Sequence, residues 1–110
     1  MRSSEVLRRA SEVIRRRGWC QEDFAEKGGN LATCRVCAWG AINAAATGDP
    51  TDWEYSNGHE QPALDWLTRA VFGEQFGGYV AEWNDDLDRT VEDVLAALNK
   101  AAHLAESEGD

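Results

Sequence analysis

The stretch from Thr90 to Ala105 constrains the fold more than any other part of the chain. Thr90 and Asp93 stand three apart, the spacing at which each side chain satisfies the other's backbone N–H as a capping box. Glu92 and Asp93 also sit where the positive end of a helix dipole favours carboxylates. Val91, Val94, Leu95, Leu98, Ala102 and Ala105 then recur at helical spacing. A helix with so complete an apolar stripe is stable only when that stripe is covered, so other elements must pack on it. The five residues after it, Glu106 to Asp110, are polar and predicted to fray.

The covering elements also read as helices. Val6, Leu7, Ala10, Val13 and Ile14 share one face of a predicted helix over residues 4–17, which Gly18 ends. Glu5–Arg9, Arg8–Glu12 and Glu12–Arg16 stand four apart with opposite charge and support it weakly. Residues 18–33 read as loop, with a turn at Gly28-Gly29-Asn30. Thr33 is placed to cap a second helix over 34–47, rich in Ala and Gly, that neighbours can approach closely; Gly48-Asp49-Pro50 stops it. Pro62 is predicted to open a third helix that Gly73 closes. Residues 74–83 fit a short helix or an extended segment equally well. The expected architecture is all-α, a compact orthogonal bundle of four to five helices around the Ala-rich one. It forms a single domain over 1–105.

A chain of 110 residues with 43% hydrophobic residues and five Trp can build one core and has no room for a second. No apolar run approaches the roughly 18 residues of a membrane span, and the N-terminus lacks the apolar heart of a secretory signal. A cytoplasmic protein without a membrane partner is expected. The net charge of −9 is uneven: six Arg and two Glu in residues 1–17 leave +4, and the other five basic and eighteen acidic residues leave −13. Such a body repels a phosphate backbone, which disfavours direct nucleic-acid binding. It suits instead a protein partner, including a basic one that ordinarily meets nucleic acid. Three cysteines, Cys20, Cys34 and Cys37, are too few and too odd in number for a disulfide-stapled domain.

Three separated motifs carry a resemblance. Gly18-Trp19-Cys20-Gln21, then Cys37-Ala38-Trp39-Gly40-Ala41, then Trp83-Asn84-Asp85 followed by Arg89-Thr90, Asp93-Val94 and Leu98 form one set. In these residues the chain resembles a family of small uncharacterised proteins of actinobacteria, their phages and some other bacteria. The family pattern has G-W-C-Q, C-x-x-G-A and W-N-D-x-x-x-R-T-x-x-[DE]-V-x-x-x-L. Relatives often carry Gly after G-W-C-Q, where this chain has Glu22, and Cys34 lies outside the pattern. The resemblance implies a fold and transfers no catalytic residue.

Several constellations could carry chemistry. Cys34-Arg35-Val36-Cys37 is a C-x-x-C at a predicted helix start, where thiol pKa values tend to fall; no strand precedes it, as a redox motif would want. Cys20, Cys34, Cys37 and His59 supply the four ligands of a structural zinc, with only one pair at ligand spacing. Cys20, His59 and Asn84 or Asp85 are the residue types of a thiol nucleophile, its base and an orienting group. An EF-hand read from Glu82 to Asp93 fails at its sixth position, which is Leu87 and not Gly. The simplest reading makes the cysteines small core residues and needs no cofactor.

Two places look suited to a partner. Trp53, Tyr55 and His59 lie in a polar loop between acidic neighbours, and Trp83, Asn84, Asp85 and Arg89 form the corner before the last helix. The expected function is a noncatalytic protein-binding or regulatory module, phage or mobile-element encoded and acting on a host protein. The competing expectation is a zinc-binding or cysteine-dependent small enzyme built on Cys20, Cys34, Cys37 and His59.

Overall fold

Val6, Leu7, Ala10, Val13 and Ile14 are all buried, on one side of α1 (Ser3–Arg17). In the computed structural model, which describes residues 1–52, 60–73 and 79–110, this helix packs on three others. They are α2 (Ala38–Thr47), α3 (Glu60–Phe72) and α5 (Val91–Ser107). A short α4 (Val80–Asn84) completes the order and touches α2 and α3. The described residues form an all-α bundle whose β-content is two isolated bridges, Trp19 with Val36 and Ala25 with Val36. One core joins the buried faces, with Leu7, Ile42, Leu67, Val94 and Leu98 fully enclosed. Each such aliphatic side chain contributes about 1.5–3 kcal/mol through the water it sheds.

The ends of α5 and α1 show how local chemistry sets the boundaries. Thr90 Oγ1 accepts from the Asp93 N–H at 3.2 Å, and the Asp93 carboxylate accepts from the Thr90 N–H at 3.0 Å. The predicted capping box is therefore formed. Gly18 ends α1 at φ 94°, its N–H donating to Ile14 O at 2.7 Å. The surface charges arrange themselves differently from the spacing on one helix. Arg8 reaches across to Glu106 at 2.8 Å and Arg15 pairs with Glu12 at 3.1 Å, in place of the pairs four apart. Exposed pairs of this kind contribute at most about 1 kcal/mol.

Three boundaries differ from expectation. The second helix begins at Ala38, four residues late, with Cys37 and not Thr33 at its cap. Asn30 O accepts from both Thr33 N and Cys34 N, which winds 30–34 into its own turn. Val36 is then held extended by Gly18 O and Cys20 N, so no helix can pass through it. The third helix starts at Glu60, which leaves Pro62 inside the first turn, where its missing N–H costs nothing. Finally, the tail is docked rather than frayed. The Asp110 carboxylate accepts from Ser3 N at 3.1 Å and from the Trp66 indole at 2.8 Å. Its backbone oxygen accepts from Ser4 N at 2.9 Å. Those donors hold the Asp110 carboxyl below the usual carboxylate range.

The loop from Gly18 to Cys37 lies over the start of α2. Gly40 permits this, because a Cβ there would run into the carbonyl oxygen of Phe24. The Cys37 N–H donates to that same oxygen at 3.2 Å. Arg35 and Glu26 pair across the loop, Arg35 Nε donating to Glu26 Oε2 at 2.8 Å.

Candidate functional site

The corner between α4 and α5 is built on Asn84, a polar residue only 1% exposed. Its side-chain oxygen accepts from the Trp19 indole at 2.7 Å and from the Ala38 N–H at 2.9 Å. The second bond satisfies one of the N–H groups that the start of α2 would otherwise leave open. The Asn84 amide donates to Cys20 O at 3.2 Å and to Asp85 Oδ1 at 3.1 Å. Gln21 closes the arrangement by donating to Asn84 O at 3.1 Å and to Asp86 O at 2.8 Å. Asp85 Oδ1 also accepts from the Glu22 N–H at 2.7 Å. The three motifs noted in the sequence thus converge on one hydrogen-bond network.

Asn84, one of the residues expected at a partner surface, has its side chain spent on the internal network and covered. Trp83 and Arg89 are likewise tied together. The Arg89 guanidinium stacks 4.4 Å from the centre of the Trp83 ring, and its Nε donates to Trp83 O at 2.9 Å. Arg89 N donates to Asp86 O at 2.9 Å and Asp88 N to Asp86 Oδ1 at 2.9 Å, which fixes the turn 86–89. Out of this fixed turn projects Leu87, 95% exposed, between Asp86 and Asp88. Tyr79, at the other end of α4, is 74% exposed.

Beside the corner lies a cleft of about 70 Å³, lined by Glu22, Asp23, Phe24, Cys37, Trp39, Ala81 and Asp85. Phe24 and Trp39 meet edge to face there, centroids 5.0 Å apart and planes at 77°. Glu22 is the one residue other than glycine at positive φ among the described residues, at 76°. The Trp39 indole nitrogen is buried without a hydrogen-bond partner.

The cysteines are placed as core and loop residues. Cys37 caps α2 through its sulfur, which accepts from the Gly40 N–H at 3.2 Å. Burial nevertheless outweighs the helix end and pushes the Cys37 thiol up to about 12. Burial likewise pushes the Cys20 thiol up to about 11, against the opposing pull of Arg35. Cys34 stands four residues before α2, and at Cys37, which does cap it, burial reverses the lowering expected of a thiol at a helix start. Among the described residues no three His, Cys, Asp or Glu side chains gather as metal ligands. His59, Trp53 and Tyr55 lie outside the described residues, so of the zinc set and the thiol–histidine pair only the cysteines are described.

Residues 1–104 match a family of unknown function, DUF6197. The chain belongs to that family. No curated protein and no solved structure matches it. DUF6197 membership covers both the Trp19–Gln21 loop and the α4–α5 corner, so the whole network falls within the matched region. Trp39, Phe24 and Glu22 were not among the residues expected to form a site. The signal for Glu22 lay in its departure from the glycine that the resemblance implies after G-W-C-Q, since glycine adopts positive φ without strain.

Proposed function

We propose that this DUF6197 chain is a noncatalytic protein-binding module that acts in the cytoplasm and presents the α4–α5 turn to a partner protein. The observation that carries the reading is Leu87, 95% exposed on a turn fixed by Asp86, Arg89 and Gln21. An apolar side chain held out by a rigid turn gains nothing for folding, and rigid presentation lowers the ordering cost of binding. Asp86, Asp88 and Glu92 around it suit a partner surface with positive charge. The raised thiols of Cys20 and Cys37 argue against a cysteine nucleophile, which needs thiolate near neutral pH.

The motifs shared with small proteins of actinobacteria and their phages support a phage or mobile-element origin, with a host protein as target. Genome neighbourhood tests the origin. The binding reading is tested with the immobilised protein in extract of its native host. A specific host protein should be retained by the wild type and lost with Leu87→Ser and with Asp88→Lys/Glu92→Lys. Undiminished retention by both variants, with helical content unchanged, sinks the reading.

A further inference from the structure

One polar group at the cleft beside the corner is left over. The Trp39 ring lines that cleft with Phe24 and Ala81, and the Trp39 indole N–H is buried with no hydrogen-bond partner among the described residues. Trp19 and Trp66, by contrast, give their indole N–H groups to Asn84 at 2.7 Å and to Asp110 at 2.8 Å. A buried donor without an acceptor bears the full loss of its hydration, and native structures rarely leave one so. Cys37, also at the cleft, already has its sulfur taken by the Gly40 N–H. The volume of about 70 Å³ is well below the roughly 300 Å³ at which metabolite pockets begin, so the cleft takes the end of one side chain and nothing larger. The acceptor that suits it is neutral. A cation has no lone pair to offer an N–H, and an anion would come close to the charges of Glu22, Asp23 and Asp85. Water alone wants two to four polar partners, and Phe24, Trp39 and Ala81 offer it one N–H amid apolar surface.

We propose that this cleft receives the carboxamide end of an asparagine or glutamine side chain of the partner protein, its oxygen accepting the Trp39 indole N–H. The inference rests on the binding reading above and names the chemistry of the group recognised. A carboxamide is neutral, flat and carried on an apolar stem, which suits a small space walled by the Phe24 and Trp39 rings, 5.0 Å apart. Its N–H groups are donors, compatible with the acidic residues around the cleft in a way that a second acceptor is not. Asp85, which lines the cleft, stands two positions before Leu87. A partner that grips the exposed leucine is therefore within a side chain's reach of the cleft. A site whose buried polar group pairs only with the right ligand also rejects groups that lack the acceptor, which gives the contact specificity as well as affinity.

The test uses propionamide as probe, titrated into the full chain and followed by NMR at the Trp39 indole N–H and the Phe24 ring. The expected result is a saturable shift at both residues, with the indole proton moving downfield as it gains an acceptor. Propionamidinium, of the same shape with N–H groups in place of the oxygen, and propionate, which is an anion, should both fail to produce it. Trp39→Phe keeps an aromatic ring and removes the donor, and should weaken the probe about tenfold at the Phe24 resonances. Ala81→Leu, on the half-buried side of α4, fills the cleft and should abolish the shift while the donor remains. The proposal is overturned by a flat titration, by equal binding of propionamidinium or propionate, or by undiminished binding in both variants. Should host-protein capture still depend on Leu87 while the propionamide titration stays flat, this inference fails and the binding reading stands.

Discussion

The indole N–H of Trp19 meets the side-chain oxygen of Asn84 at 2.7 Å, joining residues 65 positions apart in the chain. The same oxygen takes the Ala38 N–H, so one amide ties the first loop, the start of α2 and the end of α4. Asn84→Ala leaves Trp19 and Ala38 donors and the Cys20 carbonyl without partners in a covered place. Each orphaned buried group costs about 1–3 kcal/mol, partly relieved where water can enter. The expected loss is about 2–4 kcal/mol, read as a lower urea midpoint. Asn84→Asp should be no milder, because it removes the two amide donors and sets a carboxylate beside Asp85.

Gly40 is the point where backbone meets backbone. A methyl group there has no flexible neighbour to displace, since the obstruction is the Phe24 carbonyl. Gly40→Ala should cost about 3 kcal/mol, the upper end of the overpacking range, and lift the 20–25 loop from α2. At Gly48, where added space is open but φ is 88°, alanine should cost only about 1 kcal/mol. Equal losses in the two variants, measured by chemical unfolding, would show that the loop does not lie on α2.

The thiols supply a pH prediction. Cys20 is pushed up to about 11 and Cys37 to about 12 from an ordinary value of 9.0. Both shifts favour the neutral thiol in the folded state. Their contribution to stability is complete below pH 9.0 and is lost as pH rises toward 11 and 12. At neutral pH the thiolate fraction of Cys20 should be about a hundredfold below that of a free cysteine. Iodoacetamide followed by intact-mass measurement should therefore label Cys20 slowly and Cys37 only after urea is added. Rapid labelling of Cys37 in the folded protein would contradict its burial.

How far these features could be read from the sequence depends on how local their causes are. The α5 cap is legible because Thr90 and Asp93 act on each other within one turn. The face of α1 is legible because five apolar residues repeat at one period. The start of α2 is not, since what prevents a helix at Cys34–Cys37 is the pairing of Val36 with Gly18 and Cys20, a tertiary event. Asn84 stood out as part of a motif, yet its role was hidden. Whether it faces outward or inward is decided by Trp19 and Ala38, far away in sequence. The docked Asp110 was hidden for the same reason, its partners being Ser3, Ser4 and Trp66.

Glu22 allows the roles of backbone and side chain at the loop to be separated in one substitution. Its φ of 76° is a left-handed conformation that costs a residue with a Cβ about 1 kcal/mol or more. The conformation is imposed by its own N–H donating to Asp85 and by Gln21 anchored to Asn84 and Asp86 on the preceding position. Glycine adopts that geometry freely and keeps the N–H bond, at the cost of a more flexible unfolded chain. Glu22→Gly should therefore raise stability by about 0.5–1 kcal/mol. Thermal unfolding of the two proteins checks the sign. A variant that loses stability would mean that the Glu22 side chain, and not its backbone, holds the loop to the corner.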